Sequence, residues 1–237
     1  LSLARKIRNS PAVVNLGVTL ASRLIAGWIR LCQATSRWEV VGLDEADAAM
    51  AKGPIVAIIW HECSLMAPAH WPRKHGTVTT LSDTSPIGRT SAAVQRRFGM
   101  GSTGVPEKGG AVAATRDVLG RLRSGVSVGL TGDGPVGPAR VLKDAPLDWA
   151  RAAGVPVFVY AFAMSRAKRL KTWDKMMFPM PFSRGAVVYR KFSDPLPRRM
   201  EADDLAVVRA DLAKALTEAV EQAEAMVSRT SDRQAPR

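Results

Sequence analysis

Apolar residues follow two distinct rhythms along the chain. In "GPIVAIIWHECSLM", residues 53–66, positions 55–60 are apolar without a break, and Gly53-Pro54 bounds them. Six residues rich in β-branched and aromatic types suit a strand buried on both faces, as in a parallel sheet. Similar short runs recur, and the pattern predicts strands over 38–42, 55–60, 77–81, 126–131, 155–162 and 186–191. Helical spacing fills the intervals over 63–69, 87–98, 111–123, 147–153 and 203–227. Strands alternating with helices build a mostly parallel central sheet flanked by helices, an α/β fold.

The other rhythm opens the chain. Val13, Leu16, Leu20, Leu24, Trp28 and Leu31 recur at helical spacing, while Asn15, Arg23 and Arg30 fall outside that stripe. Arg23 and Arg30 interrupt a stretch that would need about 20 apolar residues to span a bilayer. No small-residue cleavage pattern follows, as a signal peptide would require. The spacing therefore predicts an N-terminal amphipathic helix of the kind that lies in a membrane interface. A helix laid on the sheet fits the same pattern. The expected organisation is an amphipathic segment over 1–37, an α/β domain over 38–228 and a flexible tail over 229–237.

Charge sharpens this picture. The 237 residues carry a net charge of +13, a field that draws a protein toward phosphate-rich partners. Aromatic residues make up 6% of the chain, and no nucleic-acid reading motif interleaves them with the basic residues. An anionic membrane surface is thus the expected partner, and nucleic acid is not. Basic residues gather at Arg5, Lys6 and Arg8, then at Arg166, Lys168, Arg169, Lys171 and Lys175, whereas the last helix is acidic. The two cysteines, Cys32 and Cys63, have no disulfide or metal spacing.

Chemistry is expected at the carboxyl ends of the strands, where open α/β sheets bind ligands. His61 ends one strand. Asp83 lies in "LSDTSPIGR" after another, and Asp133 in "GLTGDGPVGPAR" after a third, with Gly134, Pro135 and Arg140 close behind. A run of Ser, Asp and Thr before a helix also reads as N-capping, and Gly-Asp-Gly-Pro as turn chemistry. The loop "GMGSTGVPEKGGA" adds Ser102, Thr103 and Lys108 before a helix N-terminus, a place that favours an anion.

Trp60-His61, "GSTGVPEKGGA", "TGDGPVGPAR" and "AGVPVFVYAFAMSRAKRLKTWDKMMFPMPFSR" occur in this order. Together they resemble the motifs of the lysophospholipid acyltransferase superfamily, in particular a bacterial branch classed as a domain of unknown function. The resemblance covers about residues 40–195 and implies a glycerol-phosphate acyltransferase-like fold. It implies that His61 is the general base that deprotonates an acceptor hydroxyl for attack on an acyl thioester. It also implies a lysophospholipid or lipid A type acceptor, and coenzyme A or acyl-carrier protein as donor. No cofactor or metal is implied, and the expected location is the cytoplasmic face of the bacterial inner membrane. The acceptor's phosphate is expected near Ser102, Thr103, Lys108, Gly134, Pro135, Arg140 and Arg166.

The chain departs from that pattern in three places. The superfamily's His-x4-Asp would put an acid at position 66, which is Met66, so the imidazole needs another orienting acid. Asp83 and Asp133 are the candidates; Glu62 is adjacent and expected to point away. Pro86-Ile87-Gly88-Arg89 stands where Asp-Gly-Glu is expected, and Val136 where the third loop carries Arg, leaving Arg140 as its replacement. Met66 also motivates a non-catalytic lipid-binding protein on the same fold. A metal-dependent hydrolase using His61, His70 and His75 with Cys63 or Glu62 is the third reading.

Overall fold

The computed structural model describes residues 10–72, 74–105 and 110–232. In chain order the elements are α1 (Pro11–Thr35), β1 (Arg37–Val41), α2 (Leu43–Lys52), β2 (Val56–Ile59), β3 (Val78–Asp83), α3 (Pro86–Arg97) and β4 (Gly101–Val105). They continue with α4 (Gly110–Arg123), β5 (Ser127–Thr131), α5 (Asp144–Ala153), β6 (Val157–Met164), β7 (Ala167–Arg169), β8 (Met177–Pro179), β9 (Arg184–Ser193) and α6 (Ala202–Asp232).

Seven strands form one sheet in the order β1-β9-β6-β2-β5-β3-β4, and β7 pairs with β8 as a separate hairpin. Every ladder in the large sheet is parallel except β6 with β9, so the expected mostly parallel sheet is present. The strands predicted as continuous apolar runs are its centre. All four residues of β2 and all eight of β6 are buried. Helices flank this core: α6 packs across β6 and β9, α3 across β3 and β4, and α4 against β4 and β5.

Four expectations change. The helix expected over 63–69 is replaced by two 3-10 turns, His61–Cys63 and Ala67–Ala69. Pro68 has no N–H to give an α-helical ladder, and its neighbours bond three residues back instead, Ala69 N to Met66 O at 3.0 Å and His70 N to Ala67 O at 3.2 Å. The supposed loop before α4 contains an edge strand, β4, whose two glycines hide it from any propensity argument. Neither α2 nor the β7/β8 hairpin is legible as hydrophobic periodicity. The final helix continues through Asp232, into the expected tail. The rest of that tail, residues 233–237, lies outside the described residues, as do Arg5, Lys6, Arg8 and Lys108.

The amphipathic helix is present, with its large apolar stripe facing outward. Ser22, Ala26, Ile29 and Cys32 are its buried residues, whereas Leu16, Leu20 and Leu24 are 59%, 49% and 75% exposed. Trp28 alone of the stripe turns inward: its Nε1 donates to Pro179 O at 2.9 Å and its ring stacks on Phe178. By length and apolar content α1 would pass for a membrane span. Its C-terminal half is bonded to the domain, through Arg30 Nη2 to Arg97 O, Arg97 Nε to Ser22 Oγ and Gln33 Nε2 to Ala69 O.

Candidate functional site

Strand order brings three loops together. Because β2 lies between β6 and β5, the carboxyl end that carries His61 is flanked by the loop after β5 and by the β7/β8 hairpin that follows β6. Both neighbours hold it. From the β5 side, Asp133, 1% exposed, accepts the His61 N–H at 2.9 Å with Oδ1 and the Arg140 N–H at 3.0 Å with Oδ2. Asp133 thus clips the backbone of the β2 terminus to its own loop and is not the partner of the imidazole ring.

From the β6 side comes the ring's partner. His61 Nδ1 lies 2.6 Å from Asp174 Oδ2, and Asp174 is 3% exposed in the loop between β7 and β8. Burial pushes the Asp174 carboxyl upward. The Thr172 hydroxyl, the His61 ring and the Met176 N–H outweigh that cost and hold it below the ordinary value of 3.8. A carboxylate on Nδ1 fixes the ring's tautomer and leaves Nε2 to take a proton, while the His61 side chain keeps 24% of its surface open. Trp173 covers the ring at a centroid distance of 5.1 Å. Gly137 lies under the same indole: its φ is +73°, and a Cβ there would come 2.4 Å from Trp173 Cε3.

Other predicted residues fall into two groups. Arg140, Gly134 and Pro135 belong to the loop that Asp133 clips beside His61. Arg140 is tied down further, donating to Glu62 Oε1, while Arg169 Nη1 donates to Glu62 Oε2 at 2.7 Å and Arg169 Nη2 to Glu224 at 2.8 Å. Glu62 is thus held by two arginines and links the β2 terminus to the hairpin. Arg166, at the root of the hairpin, is exposed.

Asp83, Ser102 and Thr103 stand apart, on β3 and β4. Asp83 Oδ1 accepts the Ser85 N–H at 2.7 Å, and a Cβ on Gly88 would lie 2.4 Å from that same oxygen. Asp83 shapes the start of α3 and does not reach the ring. Ser102 Oγ is 3.1 Å from Ser82 Oγ, and Thr103 Oγ1 donates to Asp117 at 2.7 Å.

Cys63 and Met66 are fully buried beside the site. Burial, then the Glu62 charge, pushes the Cys63 thiol up to about 12, so it is neither a thiolate nucleophile nor a ready metal ligand. The His61, His70 and His75 set is not brought together. His70 packs on Trp38 at a centroid distance of 4.0 Å, and among the described residues no three His, Cys, Asp or Glu converge as a metal would need.

Asp174 was missed as the ring's partner because it is 113 positions away in sequence. One signal was available: it is the lone acid within 166–175, a stretch that holds five cations.

No protein-family model matches the chain. An uncharacterized protein of Rickettsia prowazekii (strain Madrid E) is 25% identical over 187 residues, 76% of this chain and 82% of that one. Among solved structures, the 1-acyl-sn-glycerophosphate (LPA) acyltransferase PlsC from Thermotoga maritima is similar with a TM-score of 0.48 and 19% identity, covering 87% of this chain and 79% of that one.

Proposed function

We propose that this chain is a membrane-associated O-acyltransferase with His61 as general base and Asp174 as the acid that orients it. The observation that carries the reading is the 2.6 Å contact between His61 Nδ1 and Asp174 Oδ2 at the carboxyl ends of the central strands. The ordered sequence motifs around it support the same class of reaction. His61 Nε2 accepts the proton of an acceptor hydroxyl as that oxygen attacks the thioester carbonyl carbon. The tetrahedral oxyanion then collapses, the C–S bond breaks, and the departing sulfur takes the proton from His61, leaving an ester and a free thiol.

The acceptor in this reading is a lysophospholipid or lipid A type molecule, and the donor is an acyl-carrier protein or coenzyme A thioester. Arg140, Arg166 and Lys108 are proposed to meet the phosphates of these substrates, with Gly134 and Pro135 lining the approach. The outward Leu16, Leu20 and Leu24 support peripheral attachment to a membrane through α1; the cytoplasmic face is the location proposed.

The test is acyl transfer from labelled acyl-carrier protein and coenzyme A donors into a total bacterial lipid extract. His61→Ala is expected to lower the rate by roughly 10²- to 10⁴-fold with the fold intact. Asp174→Asn is expected to lower it by a comparable factor, because the amide cannot stabilise the imidazolium. Full activity in both variants sinks the mechanism. Lipid retained by intact protein that transfers nothing puts the lipid-binding alternative in its place.

A further inference from the structure

A groove of about 780 Å³ runs between α1 and α3, above the carboxyl ends of β3 and β4. Three arginines of α3, Arg89, Arg96 and Arg97, line it at helical spacing on one face. Among the described residues none of the three has a carboxylate partner. Their contacts are to neutral groups: Arg89 donates to the Asn15 side chain and Arg97 to Ser22 Oγ. Thr19, Ser82 and Ser102 line the same space, with Thr19 Oγ1 donating to Asn15 O and Ser82 Oγ 3.1 Å from Ser102 Oγ. Asp83 is the one acid in the lining, and its Oδ1 is engaged by the Ser85 N–H.

Position makes this groove more than a basic patch. Asn15, Thr19 and Ser22 present its wall from α1, while Leu16 and Leu20 on the same helix are exposed on the adjoining surface. Arginines and hydroxyls beside unpartnered leucines match a molecule with an anionic head and an apolar tail. Strand β3 is two positions from β2, about 10 Å at the usual strand spacing, so the groove is set off laterally from His61.

We propose that the α1/α3 groove binds the phosphate head group of an anionic membrane phospholipid, at a site separate from the His61 crevice. The proposal rests on α1 lying against a membrane. It fixes the orientation of the protein, with α1 and α3 toward the bilayer.

The experiment uses the full chain in two formats. Calorimetry with soluble short-chain phosphatidylglycerol, below its micelle concentration, is compared with inorganic phosphate. Sedimentation then uses phosphatidylcholine vesicles with and without phosphatidylglycerol. Arg89→Gln/Arg96→Gln/Arg97→Gln is compared with a charge-matched control, Lys168→Gln/Lys171→Gln/Lys175→Gln, and Arg89→Gln alone serves as a variant at an exposed helix position.

The expected result is one-to-one binding of the soluble lipid, weakened about fivefold by Arg89→Gln and roughly a hundredfold by the triple change, at about one fivefold step per arginine. Binding by the control is unchanged. Equal binding of inorganic phosphate overturns the lipid assignment, and equal losses in triple variant and control overturn the site. Failure of the intact protein to bind any vesicle removes the membrane reading of α1. Calorimetry then decides the groove on its own: one-to-one lipid binding lost in the triple variant keeps it, and no such binding removes it.

Discussion

At the residue scale, position 66 explains where the acid of the site had to come from. A carboxylate five residues after a histidine meets it only if the segment between them folds so as to bring the two side chains together. Here the chain folds as 3-10 turns at His61–Cys63 and Ala67–Ala69, and Met66 is buried in the core with no exposed surface. Asp174 reaches the ring from the hairpin after β6 instead. Met66→Asp is therefore expected to bury an unpaired charge, cost several kcal/mol of stability and leave acyl transfer no faster. Denaturant unfolding and a rate measurement check both parts, and a stable variant with raised activity would reverse the assignment of the acid to Asp174.

At the element scale, α1 separates what periodicity tells from what it does not. The stripe of large apolar residues was legible, but spacing names a face without naming the medium it meets. The face turned to the domain is the one with small residues, Ser22 and Ala26, which allow the close approach that α3 requires. Leu20→Glu/Leu24→Glu is accordingly expected to change stability by about 0.5 kcal/mol or less per position while abolishing vesicle sedimentation. Ala26→Glu, at a site with no exposed surface, is expected to destabilise by several kcal/mol. Thermal melts of the two variants side by side decide it: equal destabilisation would mean that the leucines are buried in solution.

At the scale of the whole molecule, the site and its stability are linked through pH. The Asp174 carboxyl is held below its ordinary value of 3.8, so in the folded state its charged form is favoured. Its contribution to stability is present above that ordinary value and is lost as pH falls through the depressed one. Wild type is expected to lose stability relative to Asp174→Asn as pH is lowered from neutrality to below 3.8. Unfolding curves of both proteins at the two pH values measure it, and a gap that stays constant contradicts a favoured carboxylate.

The sequence by itself determined the strands at the centre and the histidine that ends one of them. A strand buried on both faces must be apolar throughout, and so β2 and β6 announce themselves. Glycine-rich segments such as β4, and a hairpin of two three-residue strands of which β7 is wholly exposed, carry no such mark. Strand order was the further unknown. Only the tertiary structure set β6 beside β2, and that adjacency puts Asp174 rather than Asp83 or Asp133 against His61. A hydrogen bond depends on distance in space, and neighbouring strands far apart in sequence bring together groups that no local spacing relates.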